Sequence, residues 1–173
     1  MDGKFDFIYS YGSGEKEKNY LVGDWDGSGK DKIAAARGKT VLMDTNYDGK
    51  HDIEYTIKTD FEPEQFLSGK WQGAKKDSIA FGNKNTIYFD DDADGTADRQ
   101  ITYANFANGD EFMSGDFNSD NKDDISIRQG NKFLIDSDLD GKIDSEFIAN
   151  FAKEGDIYLI GDWDGGGKDS VAV

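Results

Sequence analysis

Short runs rich in β-branched and aromatic residues alternate along this chain with polar turns of Gly, Asp and Asn. One stretch contains four such runs, Tyr20 to Asp24, Lys32 to Ala36, Thr40 to Asp44 and Ile53 to Lys58. None approaches the 10 to 12 residues expected of a helix, so each is predicted to be a strand. The pattern then repeats with a period of 46 residues. Asp2 and Gly3 return as Asp48 and Gly49, Asp94 and Gly95, and Asp140 and Gly141, and Gly23 returns as Gly69, Gly115 and Gly161. Between these markers there is no insertion or deletion. The 173 residues therefore divide into a partial unit 1–20, full units 21–65, 66–111 and 112–157, and a partial unit 158–173.

Side chains at fixed phase describe one buried sheet face per unit. Ile33, Ile79, Ile125 and Val171 share a place in the second strand; Met43, Phe89 and Ile135 share one in the third; Tyr9, Tyr55, Ile101 and Phe147 share one in the fourth. Four strands per unit of this length is the size of a propeller blade, and radial repetition covers the sheet edges that one small sheet would leave open. The expected fold is all-β, a β-propeller of 46-residue four-stranded blades. It has about four blades with one split between the termini, or it forms part of a larger or oligomeric propeller. Unpaired edges in a split blade would favour self-association into a homo-oligomer. The aromatic that opens the first loop, Trp25, Trp71, Phe117 and Trp163, recurs once per unit and is expected between neighbouring blades, a sugar-stacking surface being the alternative.

Composition sharpens the class. Hydrophobic residues make up 36% of the chain and aromatics 13%, enough to fill a core although the net charge is −16. Such acidity repels nucleic acid and anionic lipid. No run reaches the roughly 18 apolar residues of a membrane helix, so no direct membrane insertion is expected, and Met1 to Gly3 opens no signal peptide. An export signal would lie outside this sequence. The absence of cysteine and the single histidine, His51, exclude a disulfide framework and leave little for a zinc or thiol site.

The third and fourth strands are joined by the pattern D-x-[DN]-x-D-G-x-x-D, complete three times. Its members are Asp44, Asn46, Asp48, Lys50 and Asp52; Asp90, Asp92, Asp94, Thr96 and Asp98; and Asp136, Asp138, Asp140, Lys142 and Asp144. Oxygen donors at positions 1, 3 and 5, a glycine at 6 and a main-chain carbonyl at 7 suit Ca2+, a hard cation with six to eight oxygen ligands. An Asp at position 9 closes the loop, and no EF-hand glutamate follows at position 12, so these are calcium loops between strands. Asx turns held by their own hydrogen bonds are the alternative. Against it, eleven carboxylates crowd into three short loops, and like charges that close call for a cation.

A weaker acidic loop joins the first and second strands. Candidate ligands there are Asp24, Asp26 and Asp31; Asp116, Asn118, Asp120 and Asp124; and Asp162, Asp164 and Asp169. The unit containing Lys70, Lys76 and Asp77 has lost most of them, and there a lysine ammonium is expected in place of an ion. Three divalent ions would take the charge from −16 to −10, and six to −4.

The units G-D-[WF]-[DN]-x-x-x-K-D at Gly23 to Asp31 and Gly115 to Asp123 resemble FG-GAP and VCBS-like repeats, as in integrin α-subunit propellers, propeller lectins and bacterial surface proteins. The resemblance implies an extracellular or cell-surface, calcium-bearing propeller with an adhesion or carbohydrate-binding role. This chain departs from those repeats in carrying two acidic loops per unit and fewer than four full units. The opposite end of each blade carries Arg37, Lys39, Asn83, Lys84, Asn85, Arg128 and Asn131, which suit an acidic glycan or a protein partner. No isolated acid–base pair stands out, so a non-enzymatic module is expected. A structural repeat scaffold and an appended domain of a polysaccharide-active enzyme are the other readings.

Overall fold

A computed structural model describes Tyr11, residues 19–153 and residues 155–173. Its strands are β1 (Asn19–Gly23), β2 (Lys32–Arg37), β3 (Thr40–Met43), β4 (Ile53–Thr56), β5 (Gln65–Gly69), β6 (Ser78–Asn83) and β7 (Thr86–Asp90). They continue as β8 (Arg99–Thr102), β9 (Glu111–Gly115), β10 (Asp124–Gln129), β11 (Lys132–Asp136), β12 (Ser145–Ile148), β13 (Leu159–Gly161) and β14 (Ser170–Ala172). Among the described residues the one helical element is a 3-10 turn at Trp71–Gly73. The protein is all-β, as its pattern predicts. Tyr9 of the fourth-strand column lies outside the described residues.

Each full unit folds into one antiparallel meander, in the orders β1-β2-β3-β4, β5-β6-β7-β8 and β9-β10-β11-β12, and β13 pairs with β14 in a two-stranded sheet. None of the four sheets is closed. The repeat extends to register: Val22 stands opposite Ile33, Ser68 opposite Ile79, and Ser114 opposite Ile125, each pair 46 residues from the next. Strand identity follows exposure. The central strand β6 is buried on both faces, so Ser78 to Gly82 reads as a continuous run, whereas the outer strands β4, β8 and β12 are largely exposed.

The first strands stand side by side, β1 against β5, β5 against β9 and β9 against β13. Hydroxyls stitch this row together: Ser68 Oγ donates to the Val22 carbonyl at 2.8 Å and Ser114 Oγ to the Ser68 carbonyl at 2.9 Å. Apolar side chains fill the gaps between sheets. Trp25, Met43 and Ile57 of the first sheet pack with Phe66, Ile79 and Phe81 of the second. Trp71, Phe89 and Tyr103 of the second pack with Phe112, Ile125 and Ile127 of the third. The recurring aromatics Trp25, Trp71 and Phe117 are thus core residues, while Trp163 is 56% exposed. The fourth strand of the first sheet stops at Thr56, short of the expected Lys58, because the Ile57 amide turns back to the Lys39 carbonyl and the Lys58 amide crosses to the Gly95 carbonyl.

Candidate metal centres

All acidic loops except that of the second unit's first connection share one backbone. In the β11–β12 loop the carboxylate of Asp136 accepts the amides of Asp140 and Gly141 at 3.2 and 2.8 Å, Asp138 accepts Asp140 at 3.1 Å, and Asp144 accepts Ser137 at 2.8 Å. The β7–β8 loop repeats these bonds through Asp90, Asp92 and Asp98. In the β3–β4 loop Asp44 accepts Tyr47 and Gly49, and Asp52 accepts Thr45. Position 4 has a left-handed backbone although it is not glycine: φ is 64° at Tyr47, 61° at Ala93 and 59° at Leu139. Position 6 is left-handed too, and there glycine removes the strain.

The weaker loops between first and second strands use the same bonds. Asp24, Asp116 and Asp162 each accept the amides at positions 5 and 6. The loop containing Trp71 does not; it forms the 3-10 turn, consistent with its missing carboxylates.

These bonds hold the side-chain oxygens of positions 1, 3 and 9 together. Carboxylate oxygens of Asp90, Asp92 and Asp98 lie within 4.8 Å of one another, as do those of Asp136, Asp138 and Asp144. Asp94 and Asp140, at position 5, are drawn aside by Lys58 and Lys142. The position 7 members Lys50, Thr96 and Lys142 each donate their amide to the carboxylate of position 5, that of Asp48, Asp94 and Asp140. Position 1 is fully buried at Asp44, Asp90 and Asp136. Burial pushes the Asp90 carboxyl up to about 6 and raises that of Asp136, and neighbouring carboxylates add to both effects.

The first β1–β2 loop shows what this geometry accepts. Its position 9 is Lys32, whose buried ammonium reaches Asp26 Oδ1 at 2.6 Å, Ser28 Oγ at 2.8 Å and the Lys30 carbonyl at 3.0 Å, with Asp24 Oδ1 at 3.9 Å. Those are positions 3, 5, 7 and 1. A cation, here a side chain of the protein itself, sits on the donor set that the sequence pattern assigns to an ion. An ammonium thus occupies the seat in the first unit, where Asp24 and Asp26 already share a cation.

In the β9–β10 loop the same place holds Asp124. It is 1% exposed, its Oδ2 accepts the Phe117 amide at 2.9 Å, and its Oδ1 is buried without a hydrogen-bond partner. Burial pushes its carboxyl up to about 7, with Asp116, Asp120 and Asp123 adding repulsion. A buried carboxyl oxygen without a partner, in the loop that carries Asp116, Asn118 and Asp120, suits a divalent cation. In the last loop Asp162 and Asp164 face Gly166 at position 5 and Ser170 at position 9, a poorer donor set.

Position 8 has another task. Asp77 accepts the Asp24 amide at 2.7 Å, Asp123 the Lys70 amide at 2.5 Å and Asp169 the Asp116 amide at 2.9 Å, each across 53 residues. Their own amides return to the carbonyls of Asp24, Lys70 and Asp116. Asp169 is therefore placed at a sheet junction and away from the oxygens of its own loop, and Asp31, in the same column, is exposed. The clue lay in the repeat itself: Asp occupies this column in all four units, while the next column varies through Lys32, Ser78, Asp124 and Ser170.

At the opposite end, several candidate ligand-binding residues serve the fold. The Lys39 ammonium binds the Thr59 carbonyl at 2.7 Å, the Asn85 carboxamide donates to the Tyr103 carbonyl at 3.2 Å, and the Lys84 amide donates to Glu64. Arg128 pairs with Glu111 at 2.7 Å and lies 4.7 Å from the centre of the Tyr158 ring. Arg37 lies at the end of β2, and Asn83 ends β6. Two shallow cavities recur at this end at equivalent sheet junctions. One, of about 460 Å³, is lined by Lys84, Asn85 and Phe106; the other, of about 410 Å³, by Arg128, Asn131 and Tyr158. Among the described residues no helix is long and apolar enough to cross a membrane. No family model matches the chain, and neither does any curated protein or solved structure.

Proposed function

We propose that this chain is a calcium-stabilised repeat domain of propeller type that serves as a non-enzymatic extracellular binding module for a glycan or protein partner. The observation that carries the metal assignment is the Lys32 ammonium, seated on the donors of positions 1, 3, 5 and 7 of its loop. Loops with the same backbone and an Asp at position 9 offer that seat with an extra negative charge in place of a positive one. Four loops meet this condition, those of Asp44 to Asp52, Asp90 to Asp98, Asp116 to Asp124 and Asp136 to Asp144. Oxygen-only donors of this number favour calcium over softer ions.

Support for a propeller comes from the row of first strands and the identical junctions between successive sheets. Support for binding comes from the cavities that recur opposite the acidic loops, with cationic, amide, aromatic and acidic residues in their walls. Extracellular calcium modules have dissociation constants of about 10⁻⁴ to 10⁻³ M, so such loops fill outside cells. The test is native mass spectrometry in calcium and in chelator, paired with thermal unfolding and a glycan array. Four bound ions and a chelator-sensitive midpoint are expected. A midpoint indifferent to chelator refutes the metal assignment, and an array without a single hit leaves a protein as the partner.

A further inference from the structure

The three sheet junctions of this chain are copies of one device. In each, an Asp at position 8 of one unit closes on the residue that opens the loop of the unit before it, its carboxylate taking the amide and its amide reaching the carbonyl. At the first two junctions the loop's own tryptophan, Trp25 or Trp71, covers the first-strand glycine, and at the third a side chain of the later first strand does so. At the third junction Ile160 packs where a Cβ on Gly115 would stand 2.5 Å from its Cγ2. The aromatic beside that glycine is then buried, to 3% at Trp25, 2% at Trp71 and 6% at Phe117.

The two ends of the array display the unused halves of this device. On the first sheet Asp31 occupies the closing column and is exposed, and Val22, which stands 46 residues before Ser68 and 138 before Ile160, is 61% exposed. On the last sheet Asp162 occupies the opening column, and among the described residues its amide and carbonyl have no such partner. Gly161 lies beside it, with Trp163 56% and Leu159 55% exposed.

We infer that two copies of this chain join head to tail, Asp31 of one copy latching onto Asp162 of the other while its Val22 seats on Gly161 and covers Trp163. The joint would be a fourth instance of a contact the chain already makes three times. It is heterologous, so it propagates until a ring closes or an open array forms. Both surfaces remain exposed at once on every copy, which is what such growth requires.

Sedimentation velocity of the full chain in calcium, over a dilution series, tests this. The wild type is expected to associate with concentration. Asp31→Ala removes the carboxylate's charge-assisted hydrogen bond at the joint, leaves the main-chain one, and should weaken association roughly tenfold to a hundredfold. Val22→Asp should abolish it, and neither variant should shift the unfolding midpoint of the protomer. A mixture of Val22→Asp, which lacks a working head, and Trp163→Asp, which lacks a working tail, should form a one-to-one complex that neither forms alone. A wild type monomeric at every concentration overturns the inference. So do variants that assemble like the wild type, and so does an Asp31→Ala protomer with a lowered midpoint, since that places the latch within one chain.

Discussion

Gly95→Ala is the substitution that best separates a sheet junction from a turn. Gly95 sits at position 6 of its acidic loop with φ at 84°, where an L side chain is strained. The greater obstacle is across the junction. A Cβ at Gly95 would stand 2.2 Å from the Thr56 carbonyl oxygen of the preceding sheet, whereas ordinary contact begins near 3.4 Å. The obstructing atom is main chain and cannot swing away. Relief requires the two sheets to part by about an ångström, which breaks the 2.6 Å bond from the Lys58 amide to the Gly95 carbonyl. The left-handed dihedral costs about 1–2 kcal/mol and the lost hydrogen bond about 1, with overpacking adding roughly 1–3. The sum is about 3–6 kcal/mol. For a chain of this size that lowers the unfolding midpoint by roughly 6–24 °C.

Gly141→Ala supplies the control. It has the same position and nearly the same φ, 87°, but its Cβ would meet the Cγ2 methyl of Ile101 at 3.2 Å, a contact a side chain can relieve. Only the dihedral cost remains, about 1–2 kcal/mol. Thermal unfolding of both variants by circular dichroism, in calcium and in chelator, measures the difference. Equal losses at the two positions would refute the claim that the Gly95 loop is pressed against its neighbouring sheet.

Other variants probe the cation seats and their acidity. Lys32→Met should lower the midpoint with or without calcium, because it leaves Asp24 and Asp26 facing each other without their ammonium. Lys32→Asp should be destabilised in chelator, recover in calcium and carry one more ion than the wild type in native mass spectrometry. Tyr103→Phe removes the 2.8 Å bond from the buried phenol to Asp136 Oδ2 and should cost about 2 kcal/mol in chelator. The metal-free protein should gain stability as pH falls from about 7 to about 4. The carboxyls of Asp90 and Asp123 are pushed up to about 6 and that of Asp124 to about 7, chiefly by burial, so the folded state binds protons that the unfolded state has released. Their contribution is complete below about pH 4 and is lost as pH rises through 6 to 7. Saturating calcium should flatten this slope, because the ion supplies the charge the protons otherwise supply, and a chelator titration followed by chemical denaturation would show whether it does.

Strand number, strand order within each unit and the acidic loops were all legible in the sequence, because a strict 46-residue period lets each unit confirm the phase of the others. The period did not reveal which carboxylate belongs to which task. Asp123 and Asp124 are adjacent and chemically identical, yet strand β10 begins at Asp124 and so turns its side chain into the loop, while Asp123 faces the neighbouring sheet. Lys32 was equally opaque. A lysine at the head of a strand ordinarily reads as solvated, and only the converging oxygens of Asp26, Ser28 and Lys30 show it to be an internal counter-ion. The left-handed residues Tyr47, Ala93 and Leu139 carry no local signal, since the carboxylate of position 1 imposes their conformation through the amides it collects.

The acidic loops do not merely decorate the ends of independent sheets. The β7–β8 loop meets the first sheet through Gly95 and Lys58, and the β11–β12 loop meets the second through Tyr103 and Asp136, with Leu139 and Ile143 packed near Ile101. An ion that fixes such a loop therefore spends its binding energy on the contact between sheets, where side-chain packing and a few hydrogen bonds otherwise hold one sheet to the next. Single four-stranded sheets of this size have little core of their own. Removal of calcium should accordingly loosen junctions before it melts strands. In hydrogen exchange the Lys58 amide should lose protection in chelator at calcium-free stabilities where the amides of β6 keep theirs. Simultaneous loss across β6 and Lys58 would mean that the loops stabilise each sheet from within, and the junction account would fail.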